Sequence, residues 1–529
     1  MNLRPTSRLS SGRTVESQNH SPRPWTTRQV VLLTALAGSV ACALSLLATS
    51  FEINSSRQSE PTYAKPREMI LAIDELRACL SDDAISTDDD DLRSHGYSAW
   101  STINAERLPV AIAYPKTTEE VSQIAKICHN YRIPMVPYSG GSSLEANFSA
   151  PFGGITIDFA FMDKIVAFHK DDMDVVVQPS VSWMDLNEQL KDDGLFFPVD
   201  PGPTAKIGGM VGTSCSGTNA VRYGTMKDWV INVTAVLADG TIIKTKRRPR
   251  KSSAGYNLTS LFVGSEGTLG IVTEITLKLA VLPQETSVAV VTFPTMRDAA
   301  ATAFQVMRAG IPIAAMEIMD EVQMNVVNRS GTTTRKWKEV PTLFFKFAGT
   351  KAGVHENIGL VKRIAGSHNS EEFKFAADEK ERNDLWSARK QALWSMLALR
   401  EKDSEVWSTD VAVPLSRLPE LIEISKKELD ELGLFASILG HIGDGNFHES
   451  IMYDKNDTKQ REAVRKCVHA MVERALEMEG TCTGEHGIGL GKKEALFAEL
   501  GPETINVMRS LKRAMDPHWL MNPGKIIDP

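Results

Sequence analysis

Pro201-Gly-Pro-Thr-Ala-Lys-Ile-Gly-Gly-Met-Val-Gly-Thr-Ser-Cys-Ser-Gly-Thr-Asn219 is the stretch on which the reading of the fold turns. It holds five glycines, and most of the rest are small or hydroxyl-bearing residues. Such a segment has little apolar surface to bury. It lets the backbone approach a flat ligand with no Cβ in the way. Arg222 follows in Arg-Tyr-Gly224, and a planar guanidinium there suits a phosphate. Upstream, Pro137-Tyr-Ser-Gly-Gly-Ser-Ser-Leu144 follows a predicted strand. Its successive N–H groups can form a nest for phosphate oxygens, with hydroxyls from Ser139, Ser142 and Ser143 beside it. Downstream, Gly264-Ser-Glu-Gly-Thr-Leu-Gly-Ile-Val-Thr273 runs into another strand. The loop at 137–144 is neither a Walker loop nor a GxGxxG fingerprint, and taken alone its Gly140–Gly141 pair favours an ordinary tight turn.

Around these loops the chain alternates strand and helix. Strands are predicted over 110–113, 133–138, 154–158, 174–178, 233–237 and 271–279. A helix is predicted from Thr118, with Thr118 as its cap and Glu119 and Glu120 at its positive end. Val121, Ile124, Ala125 and Cys128 continue it at helical spacing. A second region begins near residue 285. Its strands are placed at 288–293 and 343–348, and its helices at 296–309 and 377–400. The acidic run at 81–91 reads as a solvated loop. The fold class is α+β: a first domain over 105–283 that carries the glycine loops and a second over 284–529, preceded by a linker and helical segment over 52–104.

The motifs PYSGGSSLE, PGPTAKIGGMVGTSCSGTNAVRYG and LFVGSEGTLGIVTEITLKL, in this order, resemble the FAD domain of the vanillyl-alcohol oxidase / p-cresol methylhydroxylase family. The resemblance implies FAD between two α+β subdomains, with its pyrophosphate against the first two loops. The FAD contacts implied are Ser139, Gly140, Gly141, Ser142, Ser143, Pro201, Gly208, Gly209, Gly212, Thr213, Ser216, Gly217, Arg222, Glu266, Ile271 and Val272. Relatives with covalent flavin often carry a histidine where this chain has Ser142, so the resemblance implies non-covalent FAD.

A second cluster lies near the C-terminus. Gly440-His-Ile-Gly-Asp-Gly-Asn-Phe-His448 places two histidines seven residues apart. On a helix that is about 10.5 Å, too far for one ion. Gly440, Gly443 and Gly445 argue instead for a turn between extended pieces, which can bring the imidazoles together. Thr483-Gly-Glu-His-Gly-Ile-Gly489 supplies Glu485 and His486. Two imidazoles and a carboxylate suit Zn²⁺ or Mn²⁺ with open positions, while separate turn-capping roles for each histidine are the plainer alternative. His486 reads as a fourth ligand or as a residue behind the ligands.

These loops resemble the D-2-hydroxyacid dehydrogenase branch of the same flavin family. That resemblance implies that His441, His448 and Glu485 hold the metal and that His486 is the base. It also implies that Arg389 pairs with the substrate carboxylate, and that Asn522 and Lys525 of Asn-Pro-Gly-Lys approach the flavin. The implied reaction takes the C2 hydride of an (R)-2-hydroxy acid to flavin N5, leaving a 2-keto acid. Ser408 or Thr409, Leu393 and Ser450 stand where the hydroxyglutarate enzymes place residues for a second carboxylate. This favours a small monocarboxylate such as D-lactate, with glycolate and longer D-2-hydroxyacids, including D-2-hydroxyglutarate, as alternatives. A non-redox FAD synthase of ether lipids shares the flavin domain but does not need these two histidine loops.

The remaining expectations concern location and partners. Residues 1–28 carry five arginines against one acid, the character of a mitochondrial targeting segment. Residues 29–51 are uncharged and largely apolar, long enough to cross a hydrocarbon core of ~30 Å. Together they predict an enzyme anchored in the mitochondrial inner membrane with its catalytic body in the intermembrane space. Electrons would then pass to cytochrome c; with no Cys-x-x-Cys-His motif in the chain, the haem must belong to a separate protein. A net charge of −7 speaks against nucleic acid. The six cysteines are irregularly spaced and read as reduced thiols.

Overall fold

A computed structural model describes residues 61–529, apart from Ala377. The targeting segment and the apolar run predicted as an anchor lie outside these residues. Among the described residues, no helix is long and apolar enough to cross a membrane.

Among the described residues, three larger sheets carry the molecule, beside a two-stranded ladder of Leu195–Phe196 with Ala280–Val281. The first has four strands, in the order Ile85–Ser86, Ala111–Ala113, Ile155–Asp158 and Met135–Tyr138. Its last three strands run parallel. The helix Thr118–Tyr131 makes the crossover and buries Val121, Ile124, Ala125 and Cys128. Its cap is Thr117, whose hydroxyl accepts from the amide of Glu120, and not Thr118, which bonds Thr273 instead. The acidic run is also more structured than a solvated loop. Asp88 caps a helix over Asp89–Gly96, with three aspartates in its positive first turn.

The second sheet is antiparallel and has five strands, in the order Ile165–His169, Asp174–Val177, Ile271–Lys278, Val230–Val236 and Ile242–Lys244. The third is a larger antiparallel sheet built from Glu285–Thr292, Ile313–Met319, Thr342–Gly349, Glu372–Phe375, Ser404–Ser408, Phe435–Gly440 and Asn446–Asp454. Helices cover both of its faces, so its strands are apolar on both sides. Ile313, Met316 and Ile318 pack with the helices Met296–Arg308 and Leu418–Leu432. Ala315 and Met319 pack instead with Leu385, Trp386 and Ala388 of the helix Glu379–Lys390. Strand alternation therefore turns Glu317, between Ala315 and Met319, toward that helix. The helix predicted over 377–400 is two helices, Glu379–Lys390 and Ala392–Ala398, broken at Gln391.

Candidate active site

The histidine motif is a tight hairpin. The strand Phe435–Gly440 ends one residue before His441, a short 3₁₀ turn follows over Ile442–Asp444, and Asn446–Asp454 returns antiparallel with His448 opposite Leu439. Gly445 closes the turn at φ 82°, and a Cβ there would lie 2.4 Å from the Val413 carbonyl oxygen. The two imidazoles end with ring centroids 5.6 Å apart.

Glu485 meets them from the second loop. Its Oε1 lies 2.9 Å from His441 Nε2 and 3.3 Å from His448 Nε2. Each histidine uses its other nitrogen elsewhere: His441 Nδ1 is 2.9 Å from Glu317 Oε1, and His448 Nδ1 is 3.0 Å from the Thr409 carbonyl oxygen. Those acceptors require N–H at both Nδ1 atoms. Two Nε2 lone pairs and an anionic oxygen therefore converge on one point, and such a donor set needs a cation. Burial works against a charge on His441, yet Glu317 and Glu485 raise its pKa well above the usual value, so this point between the carboxylates calls for a positive charge, which either a proton or a bound cation supplies. The residues thus fit a divalent ion with two nitrogen ligands and one oxygen ligand. Asp410, His448 and His486 form a second close triad. Asp410 is less free to ligate, because its carboxylate is already taken up by other donors.

Asp410 Oδ2 accepts from the Thr483 hydroxyl at 2.7 Å and from the amides of Gly484, Glu485 and His486 at 2.8, 2.8 and 2.9 Å. The Asn446 side chain donates to Oδ1. Although burial works against its charge, His486, Lys492 and His448 hold the Asp410 pKa far below the carboxylate range. Glu266 secures the same loop further along, accepting from the amides of Ile488 and Gly489 and from Asn147. The loop that carries Glu485 and His486 is thereby pinned by two buried carboxylates.

His486 stacks on His448, with centroids 5.0 Å apart and planes 6° apart. Its Nδ1 is enclosed without a hydrogen-bond partner. Burial, reinforced by His448 and Lys492 against Asp410, pushes its pKa down to about 4. At neutral pH it is an uncharged imidazole able to accept a proton.

One cavity of about 1000 Å³ joins this cluster to the glycine loops. Ser139, Gly140, Gly141, Ser142, Ser143, Pro201, Gly208, Gly209, Gly212, Thr213, Gly217, Glu266, Val272 and Asn522 line it, together with Arg389, His441, His448, Glu485 and His486. A Cβ on Gly209 would meet nothing within 4 Å, so the backbone there is bare toward open space. Ser143 Oγ and Asn147 Oδ1, also in the wall, have no protein partner. A large cavity with glycine-bared backbone and unpaired polar atoms fits a dinucleotide such as FAD.

Four predicted contacts fall elsewhere. Arg222 donates to the Ala348 carbonyl oxygen and does not line the cavity. Ser216 donates to Glu485 Oε2 at 2.6 Å, which makes it a support of the donor cluster. Ile271 is wholly buried in the first core. Lys525 is enclosed and donates to the Ser149 carbonyl oxygen and to Asn522 Oδ1.

Comparison with known proteins agrees with this geometry. Residues 109–246 match the FAD binding domain family, and residues 282–526 match the family described as FAD linked oxidases, C-terminal domain. The chain is 48% identical to "D-lactate dehydrogenase (cytochrome), mitochondrial" of Kluyveromyces lactis over 89% of its length and 83% of that protein's. It is 47% identical to the Arabidopsis thaliana protein of the same description, over 88% and 81%. The chain belongs to the D-lactate dehydrogenase (cytochrome) family of FAD-linked oxidases. Its fold is that of p-cresol methylhydroxylase, solved with substrate bound, at TM-score 0.72 and 18% identity over 89% of this chain and 99% of that one.

Three residues of the site escaped the sequence reading or were passed over in it. Glu317 joins Arg389 to His441: Arg389 Nε donates to its Oε2 at 2.7 Å. Asp410 carries the loop described above. Lys346 lines the cavity with its ammonium 4.5 Å above the Trp386 ring. Each is a charged residue inside an otherwise apolar strand or strand end, IAAMEIM, STDVAV and LFFKFAG, and that is the signal that marks them.

Proposed function

We propose that this chain oxidises D-lactate to pyruvate with non-covalently held FAD, using a divalent ion, Zn²⁺ or Mn²⁺, at His441, His448 and Glu485, and that it passes electrons to cytochrome c. The observation that carries the reading is the single cavity lined both by the glycine loops and by the donor cluster with Arg389 and His486. When bound, FAD supplies the hydride acceptor, and the ion supplies a Lewis acid that lowers the pKa of a hydroxyl. Arg389 holds the substrate carboxylate, with its Nε anchored on Glu317 and its terminal nitrogens free for a two-pronged contact. His486 takes the hydroxyl proton on Nε2, the ring nitrogen left toward the cavity. Asp410 keeps that ring in place through the His486 amide, and the neutral state of the imidazole suits a general base. Trp100 and Trp394, edge to face at 6.0 Å in the cavity wall, shield the site from water.

The descriptions of the relatives support a mitochondrial location and a cytochrome acceptor. We place the catalytic body in the intermembrane space on the character of residues 1–51. Lys346 supports a second reading. As a further cation in the cavity it suits the distal carboxylate of a D-2-hydroxydicarboxylate.

Anaerobic bleaching of the flavin by a panel of 2-hydroxyacids tests both. We expect D-lactate to bleach it fastest, glycolate and D-2-hydroxyglutarate more slowly, and L-lactate not at all. Preference for the L-enantiomer would overturn the assignment, and preference for hydroxyglutarate would favour the second reading.

A further inference from the structure

Glu317 lies in the strand Ile313–Met319, and its side chain is 1% exposed. A lone carboxylate in such a place is costly unless each oxygen has a partner. Here the oxygens are divided. Oε1 takes His441 Nδ1 at 2.9 Å, and Oε2 takes Arg389 Nε at 2.7 Å. His441 is a member of the donor cluster, and Arg389 lies on a different element, the helix Glu379–Lys390. Among the described residues, no other carboxylate bonds to both. The strand pattern explains how it gets there: Ala315 and Met319 face this helix, and Glu317 shares their side of the sheet.

We infer that Glu317 is a positioning residue with two simultaneous duties: it fixes the metal-binding tautomer of His441, and it aims the Arg389 guanidinium at the substrate carboxylate. This rests on the roles proposed above for His441 and Arg389. With a carboxylate at 317, His441 must carry its proton on Nδ1, so Nε2 presents a lone pair beside Glu485. The same charge holds Arg389 by Nε alone, which turns its two terminal nitrogens outward as a fork. Ion affinity and substrate affinity therefore share one side chain, although the residues that make the contacts sit on separate elements.

Glu317→Gln keeps the shape and removes the charge. An amide can satisfy one partner with its oxygen but faces the other with N–H. We expect the affinity for Zn²⁺, measured by chelator competition, to fall about 10–100-fold, the usual effect of removing a group that supports a ligating histidine. We expect the KM for D-lactate, at saturating Zn²⁺, to rise at least about tenfold, the scale of one lost charge-assisted hydrogen bond. Glu317→Asp, which restores the charge on a shorter arm, should recover part of both. FAD content and thermal midpoint, measured on the same samples, show that each variant is folded. A Glu317→Gln protein that is folded and FAD-loaded, with wild-type Zn²⁺ affinity or wild-type KM, overturns the double role. A purely space-filling Glu317 predicts neither change, because Gln fills the same volume. The wild type is measured in parallel: if it binds no Zn²⁺ at this cluster, the underlying metal assignment fails, and the inference with it. If the wild type binds Zn²⁺ and the variant binds it equally well, only the inference fails.

Discussion

At the scale of single residues, the site depends on charges that are buried and fully engaged. Asp410 is the clearest case, because three consecutive amides and the Thr483 hydroxyl point at one of its oxygens. Asp410→Asn turns an acceptor into a group that is half donor. At least one buried N–H is then unpaired, at about 1–3 kcal/mol each. The expected outcome is a lower midpoint in urea for the FAD-loaded protein, together with slower flavin reduction, since the loop carries both Glu485 and His486. Unchanged stability would show that the amides find other partners. The candidate ligands were legible in the sequence because histidines and a glutamate between glycines are an unusual pattern. Their supports were not legible. Glu317 and Asp410 act through distances between elements far apart in the chain, and nothing local to IAAMEIM or STDVAV says which way an acid points. Arg222 shows the converse error. A guanidinium beside a glycine loop suits a phosphate, but here the Ala348 carbonyl oxygen of the neighbouring sheet claims it.

At the scale of elements, helical spacing and apolar runs account for most of what was predicted correctly, although the one helix cap read from the sequence falls at Thr117 and not at Thr118. The strands at 155–158, 174–177 and 271–278 lie within a residue or so of their predicted limits, because their apolar runs are bounded by turn residues. The single helix expected over 377–400 divides at Gln391 even though no proline or glycine marks the break. One cap also makes stability depend on pH. Asp320 begins the helix Glu321–Ser330 and accepts from the Gln323 amide. It is fully buried, and burial raises its pKa to about 7, outweighing the nearby Lys426. The pKa of the folded state is thus above the unfolded value of about 3.9. The stability it contributes is complete below about pH 4 and is lost progressively as pH rises from there through 7, because the unfolded chain ionises over that range while burial keeps the folded carboxyl protonated. Asp320→Asn keeps the cap, for which Asn is as good as Asp, and removes the titration. The thermal midpoint of the wild type should fall between about pH 4.5 and pH 7.5 by more than that of the variant. Parallel profiles would contradict the assignment.

At the scale of the whole molecule, the glycine loops of the two smaller sheets and the large antiparallel sheet meet around one cavity, and the chemistry is divided among them. The flavin loops come from the first half of the chain. The donor cluster, Arg389 and His486 come from the second half. The pairing of the two halves was readable from motif order, because each half carries its own set of glycines. Lys346, in the middle of a strand, was not readable as part of the cavity, since its neighbours Phe345 and Phe347 belong to a buried core. We propose above that His486 removes the substrate proton in a cavity where D-lactate and FAD meet. The most direct test is anaerobic, single-turnover mixing of the FAD-loaded protein with D-lactate, followed by flavin absorbance, for the wild type and His486→Ala side by side. We expect rapid bleaching in the wild type and a rate about 10²–10⁴-fold lower in the variant, with FAD still bound. Bleaching of the variant at the wild-type rate would contradict it.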